Sequence, residues 1–187
     1  MGMLRVISGS CKGRKLKTVK GKTTRPTADR TREALFNILA LKIPDAVVLD
    51  LFAGTGALGI EALSRGATYS VFIENDRHAV STIKDNILSC QMGDKSKTIQ
   101  WDIVNNLTCI ESTGLLFDIV FMDPPYRKDI IPATINNLVN TNTMKKSTDI
   151  IVEHGGEKEL PNDIFGYGVV DKRRYGNTAF SFLRLTE

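Results

Sequence analysis

LDLFAGTGALGIEALSRGA, Leu49–Ala67, passes from an apolar run through a glycine-rich turn into a segment of helical period. Gly54, Gly56 and Gly59 fall at the G-x-G-x-x-G spacing. In a strand, turn, helix context, glycines at this spacing let a ligand approach the backbone and let the helix pack closely on the sheet, so a nucleotide is expected at the turn. Phe52, Ala53, Gly54, Thr55 and Gly56 are the expected contacts. Glu74, twenty residues beyond Gly54 at the end of TYSVFIE, is placed to accept hydrogen bonds from both ribose hydroxyls, with Asn75 beside it.

Outward from this stretch, strand and helix signals alternate. AVVLDLF reads as a strand, ALGIEALSR as a helix ended by Gly66, and TYSVFIE as a second strand. Asp76–Leu88 has helical spacing, SKTIQW and FDIVFMD read as strands, Ile130–Val139 as a weaker helix and TDIIVEH as a strand. GYGVVDKRRYGNTAFSFLRL reads as a closing hairpin. Such alternation predicts an α/β fold with a doubly wound, mostly parallel sheet and an antiparallel C-terminal edge. Before it, RVISGS and RKLKTV read as two short strands joined through Gly9 and Gly13, and ADRTREALFNILA as a helix with Asp29 in its cap or first turn. The expected organisation is a basic β-hairpin extension over residues 1–26 and one catalytic-type domain over 27–187.

Charge separates these two parts. Residues 1–32 hold ten Lys or Arg and one acid, whereas the remainder holds 15 basic and 20 acidic residues. A segment at +9 joined to a body at −5 is the footprint of a polyanion-binding arm. Arg5, Lys12, Arg14, Lys15, Lys17, Arg25, Arg30 and Arg32 are the candidate phosphate contacts, against the alternative of a solvated tail. With 187 residues, 42% of them hydrophobic, the chain is long enough for one core of ordinary size. No apolar run reaches the roughly 20 residues that span a bilayer, so a soluble, cytoplasmic protein is expected. Cys11, Cys90 and Cys109 are scattered without a C-x-x-C pair, and His78 and His154 have no partners at metal spacing, so no metal is expected.

FDIVFMDPPY, Phe117–Tyr126, is a strand with an unusual exit. Pro124 and Pro125 have no N–H and push the residues before them out of the helical region, so the chain makes a rigid corner with Asp123 on it. Ligands of open α/β sheets sit beyond the carboxyl ends of the strands, where Asp123 falls. The identity of the nucleotide follows from charge. Asp50, at the mouth of the glycine turn, would repel a pyrophosphate but suits S-adenosylmethionine, which carries an ammonium and a sulfonium. On this reading Asp50 and Glu74 serve a ligand rather than the core. Asp102 is placed to accept from an adenine amino group, and Ile103 to pack on the ring.

DLFAGTGALGIEALSRGA, the acid ending VFIEND and the tetrad DPPY resemble the motifs of class I S-adenosylmethionine-dependent methyltransferases acting on exocyclic amino groups of bases. ISGSCKGRKLKT, RPTADRTREALFNIL and YGNTAFSFLRL are similar to a narrower group, the RsmD-like 16S rRNA guanine-N2 methyltransferases. That resemblance implies methylation of one guanine in a hairpin loop of 16S rRNA, an assembly intermediate of the small subunit as partner, and a monomeric enzyme. Asp123 and the carbonyl of Pro124 would accept the amino N–H groups, and Tyr126 would stack on the base. A DNA adenine or cytosine amino-methyltransferase shares the tetrad, and a dinucleotide-binding oxidoreductase shares the glycines. Lys172, Arg173 and Arg174 form a second basic cluster, either an RNA contact or a solvated hairpin tip.

Overall fold

The computed structural model describes residues 4–19, 26–125, 130–157 and 159–186; Arg25 and Tyr126, both expected at the site, lie outside the described residues. In chain order the elements are α1 (Pro26–Ile38), β1 (Val47–Leu51), α2 (Ala57–Ser64), β2 (Tyr69–Glu74), α3 (Arg77–Ser89), β3 (Ser96–Gln100) and α4 (Thr108–Glu111). They continue with β4 (Phe117–Met122), α5 (Ile130–Val139), β5 (Met144–Gly155), β6 (Asp163–Ile164), β7 (Tyr167–Tyr175) and β8 (Thr178–Leu185). One sheet carries all eight strands in the order β3-β2-β1-β4-β5-β8-β7-β6. The first five pair in parallel, and β8, β7 and β6 add the antiparallel edge. The order reverses between β1 and β4, which makes the carboxyl edge of those two strands the topological switch point where ligands of this architecture bind.

The apolar runs are continuous because the central strands are covered on both faces. Phe36, Phe72, Ile83, Phe121 and Ile151 belong to the core on the side of α1, α2 and α3. Leu49, Ile73, Val120, Met122, Ile135 and Val152 belong to the opposite core, beneath α5. The acid near the start of FDIVFMD, Asp118, is accounted for at the amino end of β4. Asp118 accepts Val47 N at 3.0 Å and pairs with Lys145 Nζ at 2.6 Å, closing the amino edge of the sheet.

The basic segment is docked on the sheet domain. Leu4, Val6 and Leu16 are buried in the same core as α1 and α2. Its two arms meet in one antiparallel bridge, Arg5 with Lys15, flanked by Val6 N to Arg14 O and Leu16 N to Leu4 O, both 2.9 Å. The expected ladder is this short because α2 captures the next donors. Glu61 accepts Ile7 N at 2.7 Å and Ser8 N at 3.0 Å, and Ser64 takes Ser10 N on its carbonyl and Cys11 N on its hydroxyl. Two small elements carry no periodic signal in the sequence: α4, with Ile110 buried, and β6, with a two-residue pairing to β7.

Candidate functional site

The turn after β1 is built from left-handed backbone. Phe52, Gly54 and Gly56 have φ of 59°, 57° and 75°. A Cβ added to Gly54 would find only Phe52 O, at 3.8 Å, so this backbone is open to a ligand. Gly59 has the opposite role, since a Cβ there would lie 2.3 Å from a ring carbon of Phe72, and its absence seats α2 on β2.

Two acids hold the turn in place. Glu74 Oε2 accepts Gly54 N at 2.9 Å, and its Oε1 accepts Asn75 N and Asp76 N at 2.9 and 3.0 Å. Asp76 in turn caps α3 by accepting Ala79 N at 2.8 Å. Asp50 is 2% exposed, and its Oδ2 accepts Gly59 N at 2.9 Å in the first turn of α2. Asp50 therefore sits in the core, and its removal would strand a buried amide as well as alter the charge seen by a ligand. Burial pushes the Asp50 carboxyl up to about 8 against the opposing bond from Gly59, with Asp123 and Glu74 adding like charge.

Beside the turn, β4 delivers the proline corner. Leu51 of β1 pairs with Met122 of β4, so Phe52 and Asp123 leave the sheet side by side. Asp123 is exposed and Pro124 buried, as a rigid corner with an outward carboxylate requires. Beyond β3, Asn75, Gln100, Trp101, Asp102, Asn105 and Asn106 line an open depression of about 460 Å³. Asp102 accepts Val104 N and Asn105 Nδ2, both at 3.1 Å, and Trp101 Nε1 donates to Asn106 O at 3.1 Å. Ile103 is buried, 2% exposed. The depression and the glycine turn share the Glu74–Asn75 corner.

The basic residues divide into two kinds. Arg5, Lys12, Arg14, Lys15 and Arg30 are exposed, and Lys12, Arg14 and Lys15 border one basin with Ser89 and Gln91. Lys17 is exposed but pairs with Asp85 at 2.8 Å. Arg32, expected among the phosphate contacts, is instead 6% exposed; its Nη2 donates to Arg5 O at 2.6 Å and to Asp29 at 3.1 Å, tying α1 to the hairpin. Lys172, Arg173 and Arg174 are each paired with an acid, Glu159, Asp171 and Glu157 respectively. His154 is buried, with Nε2 2.8 Å from Ser181 Oγ and Nδ1 3.0 Å from Gly155 O, a satisfied structural imidazole. Among the described residues no three metal-ligating side chains converge, and no helix is long and apolar enough to cross a membrane. Sequence reasoning missed Glu153, at the carboxyl end of β5 next to Asp123; its signal was an acid closing an apolar strand, the same signal read at Glu74 and Asp123.

A family model described as Conserved hypothetical protein 95 matches residues 4–184. Ribosomal RNA small subunit methyltransferase D of Escherichia coli (strain K12) is 36% identical over 181 residues, spanning 96% of this chain and 88% of the relative. The solved structure of hypothetical protein TTHA0928 of Thermus thermophilus superposes with a TM-score of 0.81 at 28% identity, covering 97% of this chain and 99% of the other. SMU.776, a structure solved in complex with SAH, shares the fold at a TM-score of 0.65 and 12% identity over 87% of this chain and 50% of that one.

Proposed function

The chain belongs to the Conserved hypothetical protein 95 family, and from that premise we propose that it transfers a methyl group from S-adenosylmethionine to N2 of one guanine in a hairpin loop of 16S rRNA, with a small-subunit assembly intermediate as substrate. The observation that carries this reading is the meeting of the glycine turn and the Asp123–Pro124 corner on the carboxyl edges of β1 and β4, at the switch point of the sheet. The small-subunit rRNA relative, matched over most of its length, supports the class of substrate.

The residues fit a cationic cofactor. Asp50, Glu74, Asp123 and Glu153 gather at the carboxyl edge on one face of the sheet, and among the described residues Asp50, Glu74 and Glu153 have no cationic partner. A positively charged ligand beside these carboxyls favours their ionised form and is held by it, whereas a pyrophosphate would add like charge to the cluster. When bound, S-adenosylmethionine supplies a methyl group on a positively charged sulfur. Glu74 would accept from the ribose hydroxyls, the open backbone of Phe52–Gly56 would lie against the amino-acid part, and Asn75, Asp102 and Ile103 would border the adenine.

The amino nitrogen of guanine is a poor nucleophile because its lone pair is delocalised into the ring. Asp123 Oδ and Pro124 O accept its two N–H groups out of the ring plane, which frees the lone pair, and the proline corner keeps reorganisation small. Tyr126 would stack on the base. Reaching a base edge this way requires an unpaired or flipped nucleotide, which suits a loop target. Arg5, Lys12, Arg14, Lys15 and Arg30 hold the flanking phosphates, with Lys17 at their margin.

Two expected results test this reading. Glu74→Ala should weaken S-adenosylhomocysteine binding about 10- to 100-fold in calorimetry, the range for lost hydrogen bonds to a charged group, while the wild-type protein should show no heat with NADH. Equal binding of S-adenosylhomocysteine by both proteins, or tight NADH binding, would sink the cofactor assignment. Replacing Lys12, Arg14, Lys15 and Lys17 together by glutamine should weaken rRNA binding and reduce its log–log salt slope by up to about 3, because each phosphate contact releases counterions. An unchanged slope would make the segment a solvated surface.

A further inference from the structure

Glu153 is a second carboxylate at the reacting corner. Met122 of β4 pairs with Val152 of β5, the last pair of that ladder, so Asp123 and Glu153 stand next to each other one residue further on. Phe121 and Ile151, two residues before each acid, lie in the same core cluster. Side chains alternate along a strand, so the two carboxylates are directed to the same face, the face that also carries Asp50 and Glu74. On its other side Glu153 pairs across the sheet with Phe180, a buried ring without charge. Among the described residues no cation is paired with Glu153. Burial first, and Asp123 second, push its carboxyl up to about 8. A structural role would bring a partner, as Arg184 does for Asp149 at 2.5 Å and Lys145 does for Asp118 at 2.6 Å.

Two adjacent acceptors match a ligand with two adjacent donors. The edge of guanine next to its amino group presents N1–H and N2–H side by side, whereas adenine presents a bare ring nitrogen beside its amino group. We propose that Glu153 accepts the N1–H of the target base while Asp123 accepts the amino N–H, so that the pair of carboxylates selects guanine. A donor placed between the two carboxyls favours their ionised forms and offsets the burial and the like charge that hold the Glu153 carboxyl up. A bare ring nitrogen offers the ionised Glu153 carboxylate no donor, and sites built to satisfy a donor reject analogues that lack it.

The inference rests on the guanine-N2 reading, and 2-aminopurine separates the two, because it keeps the 2-amino group and lacks N1–H. Target RNA is prepared with guanine or 2-aminopurine at the methylated position, and kcat/KM is measured for wild type, Glu153→Gln and Glu153→Ala. Measured above about pH 8, where the Glu153 carboxyl is ionised, the wild-type enzyme should favour guanine by about 10- to 100-fold, the range for one hydrogen bond to a charged acceptor. Glu153→Gln can turn its amide to donate to the bare nitrogen, so its preference should fall to near unity, and Glu153→Ala should also lose selectivity. Melting temperature and S-adenosylhomocysteine affinity of the glutamine variant report whether the fold and cofactor site are intact. A wild-type enzyme that methylates both RNAs equally, or a glutamine variant with intact cofactor binding that keeps the full guanine preference, overturns the role of Glu153. A wild-type enzyme that leaves the guanine RNA unmethylated overturns the guanine reading itself, and the inference with it.

Discussion

Replacing Asp123 by alanine is expected to slow methyl transfer about 100- to 1,000-fold, the cost of deleting one preorganised polar group at a transition state. Asp123→Asn should retain clearly more activity. A general base must take a proton, and asparagine cannot take one, whereas an acceptor need only present an oxygen, and asparagine keeps one. The amine becomes cationic and acidic only after it has attacked the methyl group, so its proton can then pass to water. Asp123 is exposed at a corner fixed by Pro124 and Pro125, a placement that suits an acceptor in contact with substrate and solvent. Single-turnover methylation at saturating cofactor measures both variants. Equal loss in the two would replace the acceptor role with proton abstraction.

The second large effect concerns stability. Glu61 is 1% exposed and accepts three hydrogen bonds, from Ile7 N, Ser8 N and Arg65 Nε at 2.7 Å, while Arg65 also lies 5.1 Å from the centre of the Phe36 ring. Glu61→Ala leaves two backbone amides and a mostly buried guanidinium without their acceptor. Breaking a buried charge pair in this way costs about 3–5 kcal/mol, a large part of the roughly 5–15 kcal/mol that holds a typical domain together. Urea denaturation should show the midpoint falling by that equivalent. Glu61→Gln, which keeps one acceptor oxygen, should lose less. A loss below about 1 kcal/mol for the alanine variant would mean that the hairpin is not clamped through α2. The clamp also bears on function, because the same hairpin presents Lys12, Arg14 and Lys15.

Local signals in the sequence were enough for the sheet and for the glycine turn and proline corner at its carboxyl edge. The glycine spacing, the apolar runs and the proline exit each depend on residues close in the chain, and β1, α2, β2 and β4 appear where those signals place them. What stayed hidden depends on distant pairings. Asp50 reads as a ligand-facing acid until Gly59 N is found on its Oδ2. Arg32 reads as one more charge in a basic run, yet helix packing turns it inward onto Arg5 O. Glu61 carries no signal of its own in the sequence, because nothing within α2 announces that residues 7 and 8 will cover it. Glu153 and Asp123 are thirty residues apart, and only the register of β4 on β5 makes them neighbours.

The central claim is that the corner of Asp123 and Pro124 directs a methyl group to the amino nitrogen of guanine. Its most direct measurement is nucleoside analysis of small-subunit rRNA after incubation with the protein and methyl-labelled S-adenosylmethionine, as free RNA and within assembly particles. The label should appear as N2-methylguanosine at one position in a hairpin loop, and genomic DNA in the same reaction should stay unlabelled. Label recovered as N6-methyladenine or N4-methylcytosine, or in DNA in place of RNA, would contradict the account.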